Sequence, residues 1–401
     1  MSLGPAAGKL AASLRTSVAP MIDVTDPFFL HMLQLISPFG NHELWTEMVH
    51  ANIFSRAKMH LDPVRLAKHI PVSQLQSFSH GTVVQIGASD PADASAAVTE
   101  LRRLGARHVN LNCGCPSRNV QMGSFGAVLM TRPADTAAVV RAMVDAATQP
   151  TPDDLPKVHV SVKCRIGVDD DETPEFLARF IDAVLPDKAA GPGSVSLVLH
   201  ARRAWLNGLS PAQNRTVPVL NHERVYEMAR RYPHTRVVAN GGIDSVAAVQ
   251  EHLRHVDGVM VGRKVREDPW FLSELDQHVY GHAADTLPTR EQVLDSYIQY
   301  ADQMHSELSV RHTLLARPLY ALFRGRKAKA LRRSLGQLIS KASAATDTPS
   351  SVLFSEIVRE AVHAAEAEHQ AAMQAKQEYE RSHHPHHDHD RDEQQHEQIA
   401  G

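Results

Sequence analysis

Cysteine is scarce in this 401-residue chain: there are three, at positions 113, 115 and 164. An odd number gives no disulfide framework, and Cys113 and Cys115 stand too close in sequence to bridge comfortably, so a reducing compartment is the natural setting. No apolar run approaches the roughly 20 residues that a membrane-spanning helix needs. No G-x-G-x-x-G occurs, which removes the usual dinucleotide fingerprint of an open doubly wound sheet. The formal net charge of -3 neither suggests nor excludes a polyanionic partner, so the placement of charge must decide.

What is present fits a large globular domain followed by a smaller one, with 43% hydrophobic residues to build the cores. Residues 1–16, rich in Ala and Ser and carrying Lys9 and Arg15, read as a disordered leader; an organelle transit peptide is the competing reading. That composition leaves a cytoplasmic location as the expectation and a mitochondrial one as the alternative. Over 17–286, short β-branched runs alternate with helical spacings such as Ala97, Val98, Leu101 and Leu104. Eight strand candidates appear in order: SVAPMI, ELWTEMV, TVVQIGA, HVNLNCG, VHVSVKCRIG, VSLVLHA, RVVANGG and GVMVGR. Unusual polar residues fall late in these strands (Gln85, Asn112, Lys163, His200, Asn240, Arg263), where a (β/α) barrel gathers its functional groups. The expected fold is therefore α/β, a (β/α)8 TIM barrel followed by a C-terminal helical domain over 287–372. The His-rich segment 373–401 reads as a solvated, disordered tail rather than a metal site. From Arg311 through Lys341 there is no Asp or Glu. A helix there would align Arg326, Lys329 and Arg333 on one face with Arg332 beside them, a pattern that favours a polyanion contact.

The ends of the last two strands carry Gly241, Gly242 and Gly262, whose backbone N–H groups can converge on a phosphate with Arg263 as counter-charge. Lys163 and His200 share a pocket by strand alternation, and a buried lysine needs an anionic or hydrogen-bonding partner. The N1 to O2 edge of a reduced flavin is one such partner. With Gln85 nearby, flavin mononucleotide (FMN) is the preferred ligand.

Read together, VAPMIDVTD, WTEMV, QIGASDP, VNLNCGCPSRNVQMGSFGAVLM, VKCRIGVDD, LHARRAWLNGLSPAQNRTVPVL and VVANGGI…VDGVMVGR resemble the tRNA-dihydrouridine synthases, most closely their A-type subfamily. The resemblance implies an FMN-bearing barrel, a helical tRNA-binding domain, NADPH as reductant, and reduction of the C5=C6 bond of uridines 20 and 20a in the D-loop. It implies flavin contacts from Pro20, Met21, Ile22, Gln85, Lys163, His200, Asn240, Gly241, Gly242, Gly262 and Arg263. It implies Cys115 as the catalytic acid, and tRNA contacts from Asn112, Arg215, Lys329 and Arg332. Three departures stand out: Ala212 replaces a subfamily lysine, Lys329 an arginine, and the segment after Gly325 is one residue short. No metal, membrane or stable protein partner is implied, and the chain is expected to be a monomer. The competing function is a small-molecule pyrimidine reductase or dehydrogenase of the dihydroorotate dehydrogenase kind, which has no use for a basic helical domain.

The chemistry explains why a thiol belongs in this place. Hydride addition at C6 of uracil leaves negative charge over C5 and O4, and something must protonate C5. A thiol with an ordinary pKa of about 8.5 holds its proton at neutral pH yet yields it to an enolate-like carbon. Cys115 on the loop after the strand meets that need, while Cys113 and Cys164 read as packing residues. The glycines in QMGSFGA suggest a flexible segment that closes over substrate. Arg202 is placed to approach the uracil or flavin edge, with a salt bridge as the alternative.

Overall fold

The structure is a computed structural model that describes residues 15–55, 69–72, 75, 82–151, 155–185, 195–323, 325–344 and 352–383. The leader up to residue 14 and the tail from 384 lie outside the described residues. The chain divides into two compact units, Met1–Tyr300 and Ala301–Gly401.

The first unit contains the strands β1 (Thr16–Val18), β2 (His42–Trp45), β3 (Val49–His50), β4 (Thr82–Gly87), β5 (His108–Cys113), β6 (His159–Arg165), β7 (Val195–His200), β8 (Val237–Asn240) and β9 (Gly258–Val261). All the pairings are parallel in the order β2-β1-β9-β8-β7-β6-β5-β4-β3, and β2 also pairs with β4. That extra pairing closes an eight-stranded TIM barrel, with β3 as a short appendage on β4. The expected second strand, ELWTEMV, is thus two strands. The chain leaves β2 at Trp45 because Thr46 Oγ1 turns onto the Glu47 carbonyl (2.8 Å) and the Glu47 N–H goes to Thr25 O (3.2 Å) instead of to the sheet. The first strand likewise stops early, since Val24 and Thr25 both donate to Met21 O and Asp23 takes a left-handed φ of 61°.

Helices follow the strands because the sequence supplies their starts. Asp26, Asp90, Thr173, Asn221 and Ser245 each accept a backbone N–H of the first helical turn. Proline opens the helices Pro27–Ile36, Pro91–Arg103 and Pro174–Val184, where a missing N–H costs nothing. Alternation then sorts each strand. On β5, Val109, Leu111 and Cys113 face the helices, while His108, Asn110 and Asn112 face the barrel interior. Ala19, Trp45, Val83, Val198, Val238 and Met260 form an apolar plug in that interior, beneath the polar residues at the strands' C-terminal ends.

In the second unit the helix Gly325–Ala344 packs on Phe354–His383. Ala328, Leu331, Leu335 and Ile339 on one helix and Phe354, Val358, Ala361 and Ala365 on the other are buried, a spacing of three and four on both that leaves one stripe of each helix dry. Each large apolar side chain buried this way contributes roughly 1.5–3 kcal/mol. The segment expected to be tail from residue 373 is helical as far as His383, and this corrects that boundary. Its Ala, Gln, Glu and Lys residues are strong helix formers, and Lys376 pairs with Glu380 one turn on at 3.5 Å, so it stays helical although exposed. Among the described residues no helix is long and apolar enough to cross a membrane.

Candidate active site at the barrel mouth

Cys115 owes its place to Asn112. The Asn112 Oδ1 accepts the Gly114 N–H at 2.9 Å and the Cys115 N–H at 3.0 Å, an Asx-type turn that carries the chain off β5 and leaves Cys115 half-buried. Asn112 Nδ2 donates to Gln85 Oε1 at 3.0 Å and to Met48 Sδ at 3.2 Å. With two bonds at each end, the Asn112 amide has no capacity left except by displacing the weak sulfur acceptor. An Asn112 contact to tRNA would thus be a donated bond from Nδ2 in place of the Met48 sulfur, since the oxygen is committed to the cysteine loop.

The segment after Cys115 is not the open, flexible stretch expected from its glycines. It forms the helix Arg118–Met122 and a 3₁₀ turn over Gly126–Thr131, and Ala127 N–H binds Cys115 O at 2.9 Å. Gln121 Nε2 ties it to Pro116 O and Leu206 O at 2.8 and 2.9 Å. The glycines serve packing instead. Phe125 is buried, and a Cβ on Gly87 would stand 2.5 Å from its ring; Gly123 makes room on the other side. Cys113 and Cys164 are fully buried, neighbours across the β5–β6 register, and burial pushes Cys113 up and Cys164 up to about 12. They are packing residues, as expected.

A cluster of cations surrounds the thiol. Lys163 Nζ donates to Asn240 Oδ1 at 3.0 Å, and Asn240 Nδ2 in turn donates to Met260 O at 2.8 Å. Burial, then the charge of Arg165, draws Lys163 down to about 8. Arg165 was not anticipated. It is buried, held near 10 by burial, and its guanidinium reaches Gly114 O, Arg203 O and Asn214 O at 2.8–2.9 Å, stapling the cysteine loop to the loop after β7. Its position two residues beyond Lys163 on β6 was the available signal. His200 is neutral, held well below the usual range by burial and by Arg165, Lys163, Arg202 and Arg263, and its Nδ1 has no protein partner. Arg202 is 8% exposed, with Nε and Nη1 unpartnered, which removes the salt-bridge alternative. Among the described residues no carboxylate pairs with Lys163, Arg165, Arg202, Arg215 or Arg263. Charge this concentrated and unbalanced suits an anion.

Gly241 and Gly242 have φ of 110° and 71°, a region closed to most side chains, and a Cβ on Gly241 would sit 3.2 Å from the His200 ring. Gly262 opens beside Met21, its virtual Cβ 3.8 Å from the sulfur, and Arg263 follows half-buried. Pro20 is half-buried next to them, whereas Ile22 points out, 58% exposed. Arg215, exposed on the loop after β7, still feels Arg263 and Cys115. Gln85 and Asn240 are buried among the interior polar groups. Lys329 and Arg332 belong to the second unit and are exposed on Gly325–Ala344, while Arg333 of the same stripe is paired with Glu368. The Arg326 side chain lies outside the described residues.

A closed parallel barrel whose mouth gathers a thiol, a half-buried lysine, arginines and glycines defines the class as a TIM barrel with a cationic face at the strands' C-terminal ends. The family model described as "Dihydrouridine synthase (Dus)" matches residues 17–376, and the chain belongs to that family. It is 39% identical over 356 residues to the tRNA-dihydrouridine(20/20a) synthase of Xanthomonas axonopodis pv. citri, covering 85% of this chain and 97% of the relative. The protein of the same name from Xanthomonas campestris pv. campestris is 41% identical, covering 81% and 88%. That of Escherichia coli strain K12 is 37% identical, covering 82% and 88%.

Proposed function

We propose that this protein reduces the C5=C6 bond of uridine to dihydrouridine in the D-loop of tRNA, at positions 20 and 20a, with FMN as cofactor and NADPH as reductant. The observation that carries the reading is the thiol of Cys115 held at the barrel mouth within electrostatic reach of Lys163, Arg165 and Arg215. The names of the relatives support the substrate, tRNA, and the two positions.

The residues fit FMN. Arg202, with Nε and Nη1 unpartnered, and Arg263, paired with no carboxylate among the described residues, suit its phosphate together with the left-handed Gly241 and Gly242. Lys163 and the free Nδ1 of His200 suit the polar edge of the ring system, and Gln85 retains one N–H and one lone pair for it. FMN, when bound and reduced, supplies a hydride to C6 of the uracil. Cys115 gives its Sγ proton to C5 as that C–H bond forms, and the thiolate that remains faces Lys163, Arg165 and Arg215. Lys163 also neutralises charge at the cofactor edge. Arg165 keeps the cysteine loop and the loop after β7 in register, which would hold the Cys115 proton donor in place at the mouth. A uridine in folded tRNA must be turned outward to enter, at a cost of a few kcal/mol, and cationic contacts from Arg215 and from Lys329 and Arg332 offset it.

Anaerobic reoxidation of the reduced flavoprotein tests the substrate class. Unmodified tRNA should oxidise it far faster than free uridine or dihydroorotate's product, orotate. Comparable rates with a free pyrimidine would favour the small-molecule reductase instead.

A further inference from the structure

The interior of a (β/α)8 barrel is ordinarily filled by layers of Val, Ile and Leu. Here the side lined by β4, β5 and β6 is polar. His108, Asn110 and Asn112 on β5, Gln85 on β4 and Ser161 on β6 are all buried, Asn110 and Ser161 with 0% exposure. Burying such groups is unfavourable unless each is bonded, so their arrangement demands a reason.

They form one continuous file. His108 Nε2 lies 2.7 Å from Ser161 Oγ, Asn110 Nδ2 lies 2.8 Å from the same Oγ, Gln85 Nε2 lies 2.8 Å from Asn110 Oδ1, and Asn112 Nδ2 lies 3.0 Å from Gln85 Oε1. At the upper end Asn112 Oδ1 receives the N–H groups of Gly114 and Cys115. At the lower end His108 Nδ1 faces Glu43 Oε1 at 3.8 Å, and Arg236 holds that carboxylate from the other side at 3.5 Å.

The amide bonds in the file have a forced direction. Two backbone N–H groups can only donate, so the Asn112 oxygen must face them and its nitrogen must face Gln85. The Gln85 oxygen then faces Asn112 and its nitrogen donates to Asn110, whose own nitrogen donates to Ser161. Below Ser161 the line ends on His108, whose burial in company with His159 and Arg236 holds its pKa well below the usual range. Reversing one amide leaves two donors or two acceptors in opposition somewhere along the line.

We infer that this file, with Asn110 at its centre, is a positioning device: it fixes the orientation of the Asn112 amide from below and so holds the Cys115 loop in the geometry for proton delivery. The inference rests on the proposed role of Cys115. Asn110 reaches Asn112 by way of Gln85, and His108 and Ser161 are linked to both only through Asn110, so these three are positioning residues. Ser196 supplies a built-in comparison, because it is as buried as Ser161 and bonds His159 Nε2 at 2.8 Å, yet no bond links it to Asn112.

The test uses the FMN-loaded protein with Asn110→Leu, Asn110→Asp and Ser196→Ala. Single-turnover reoxidation by tRNA should fall about 10- to 100-fold in Asn110→Leu, the penalty typical of a small misplacement of a catalytic group, with tRNA and FMN affinities within about twofold of wild type. Asn110→Asp keeps the acceptor for Gln85 and should recover a large part of the rate. Ser196→Ala should react at the wild-type rate even if its melting temperature drops. Wild-type turnover by Asn110→Leu, an equal loss in Ser196→Ala, or no recovery with Asp would each overturn the inference. Cys115→Ala separates the two levels: if that variant turns over normally, the proton-donor reading itself fails, whereas an inactive Cys115→Ala beside a fully active Asn110→Leu removes only the file.

Discussion

Replacing Lys163 by Met probes the anion-binding mouth through its least comfortable charge. Lys163 is half-buried with one hydrogen-bond partner, Asn240, and desolvation, then the charge of Arg165, draws its ammonium from 10.5 to about 8. Each pKa unit corresponds to 1.36 kcal/mol, so the gap represents roughly 3 kcal/mol against the charged form. A lysine whose folded pKa lies below its unfolded value destabilises the fold fully below pH 8, and the penalty is relieved as pH rises toward 10.5. Flavin-free Lys163→Met should therefore be more stable than flavin-free wild type at pH 7, by about 1–3 kcal/mol once the lost Asn240 contact is allowed for. Wild type should gain stability between pH 8 and 10 where the variant does not. Cofactor binding should run the other way. If FMN restores the charged lysine, binding above pH 8 requires proton uptake, and affinity should weaken up to about tenfold between pH 7 and 9. Lys163→Met should bind more weakly at pH 7 and show no such slope. Urea unfolding of the flavin-free proteins and titration by flavin fluorescence quenching supply both readings. Identical pH slopes in the two proteins, or a less stable variant at pH 7, would refute the argument.

Gly87→Ala should destabilise the protein by about 1–3 kcal/mol, because its Cβ is driven into Phe125, and adding Phe125→Leu should return part of that loss in a thermal unfolding cycle. Arg165→Met removes the three carbonyl contacts that join the cysteine loop to the loop after β7; a stability loss of about 2–4 kcal/mol by denaturant unfolding is expected, with proteolytic cutting appearing between residues 203 and 215. Lys329→Glu with Arg332→Glu should weaken tRNA binding and lower the slope of log affinity against log salt by about 1–2, with flavin content unchanged. An unaltered slope would remove that helix from the tRNA surface.

The barrel was legible because β-branched runs and helical spacings alternate, because Gln85, Asn112, Lys163, His200 and Asn240 fall late in their strands, and because alternation brings Lys163 and His200 to one pocket without coordinates. Cys113 and Cys164, read as packing residues, are buried. What stayed hidden depended on contacts between distant residues. Arg165 reads in sequence as one more charge late in a strand, and only packing shows its fork closing on three carbonyls. Glu43, His108, Asn110 and Ser161 sit in the first halves of their strands, where attention to strand ends does not look. The glycines of QMGSFGA suggested freedom, but their neighbour Phe125 needed space. Helix past residue 373 was missed because a polar, charged composition hides helix propensity when no apolar stripe accompanies it.

The most direct measurement incubates the purified protein with FMN, NADPH and an unmodified tRNA transcript and reads the nucleosides by mass spectrometry. Wild type should convert uridine to a product two mass units heavier at positions 20 and 20a, and Cys115→Ala, with flavin bound and reducible, should form little of it. An absence of the heavier nucleoside with wild type, or equal amounts from both proteins, would contradict the account.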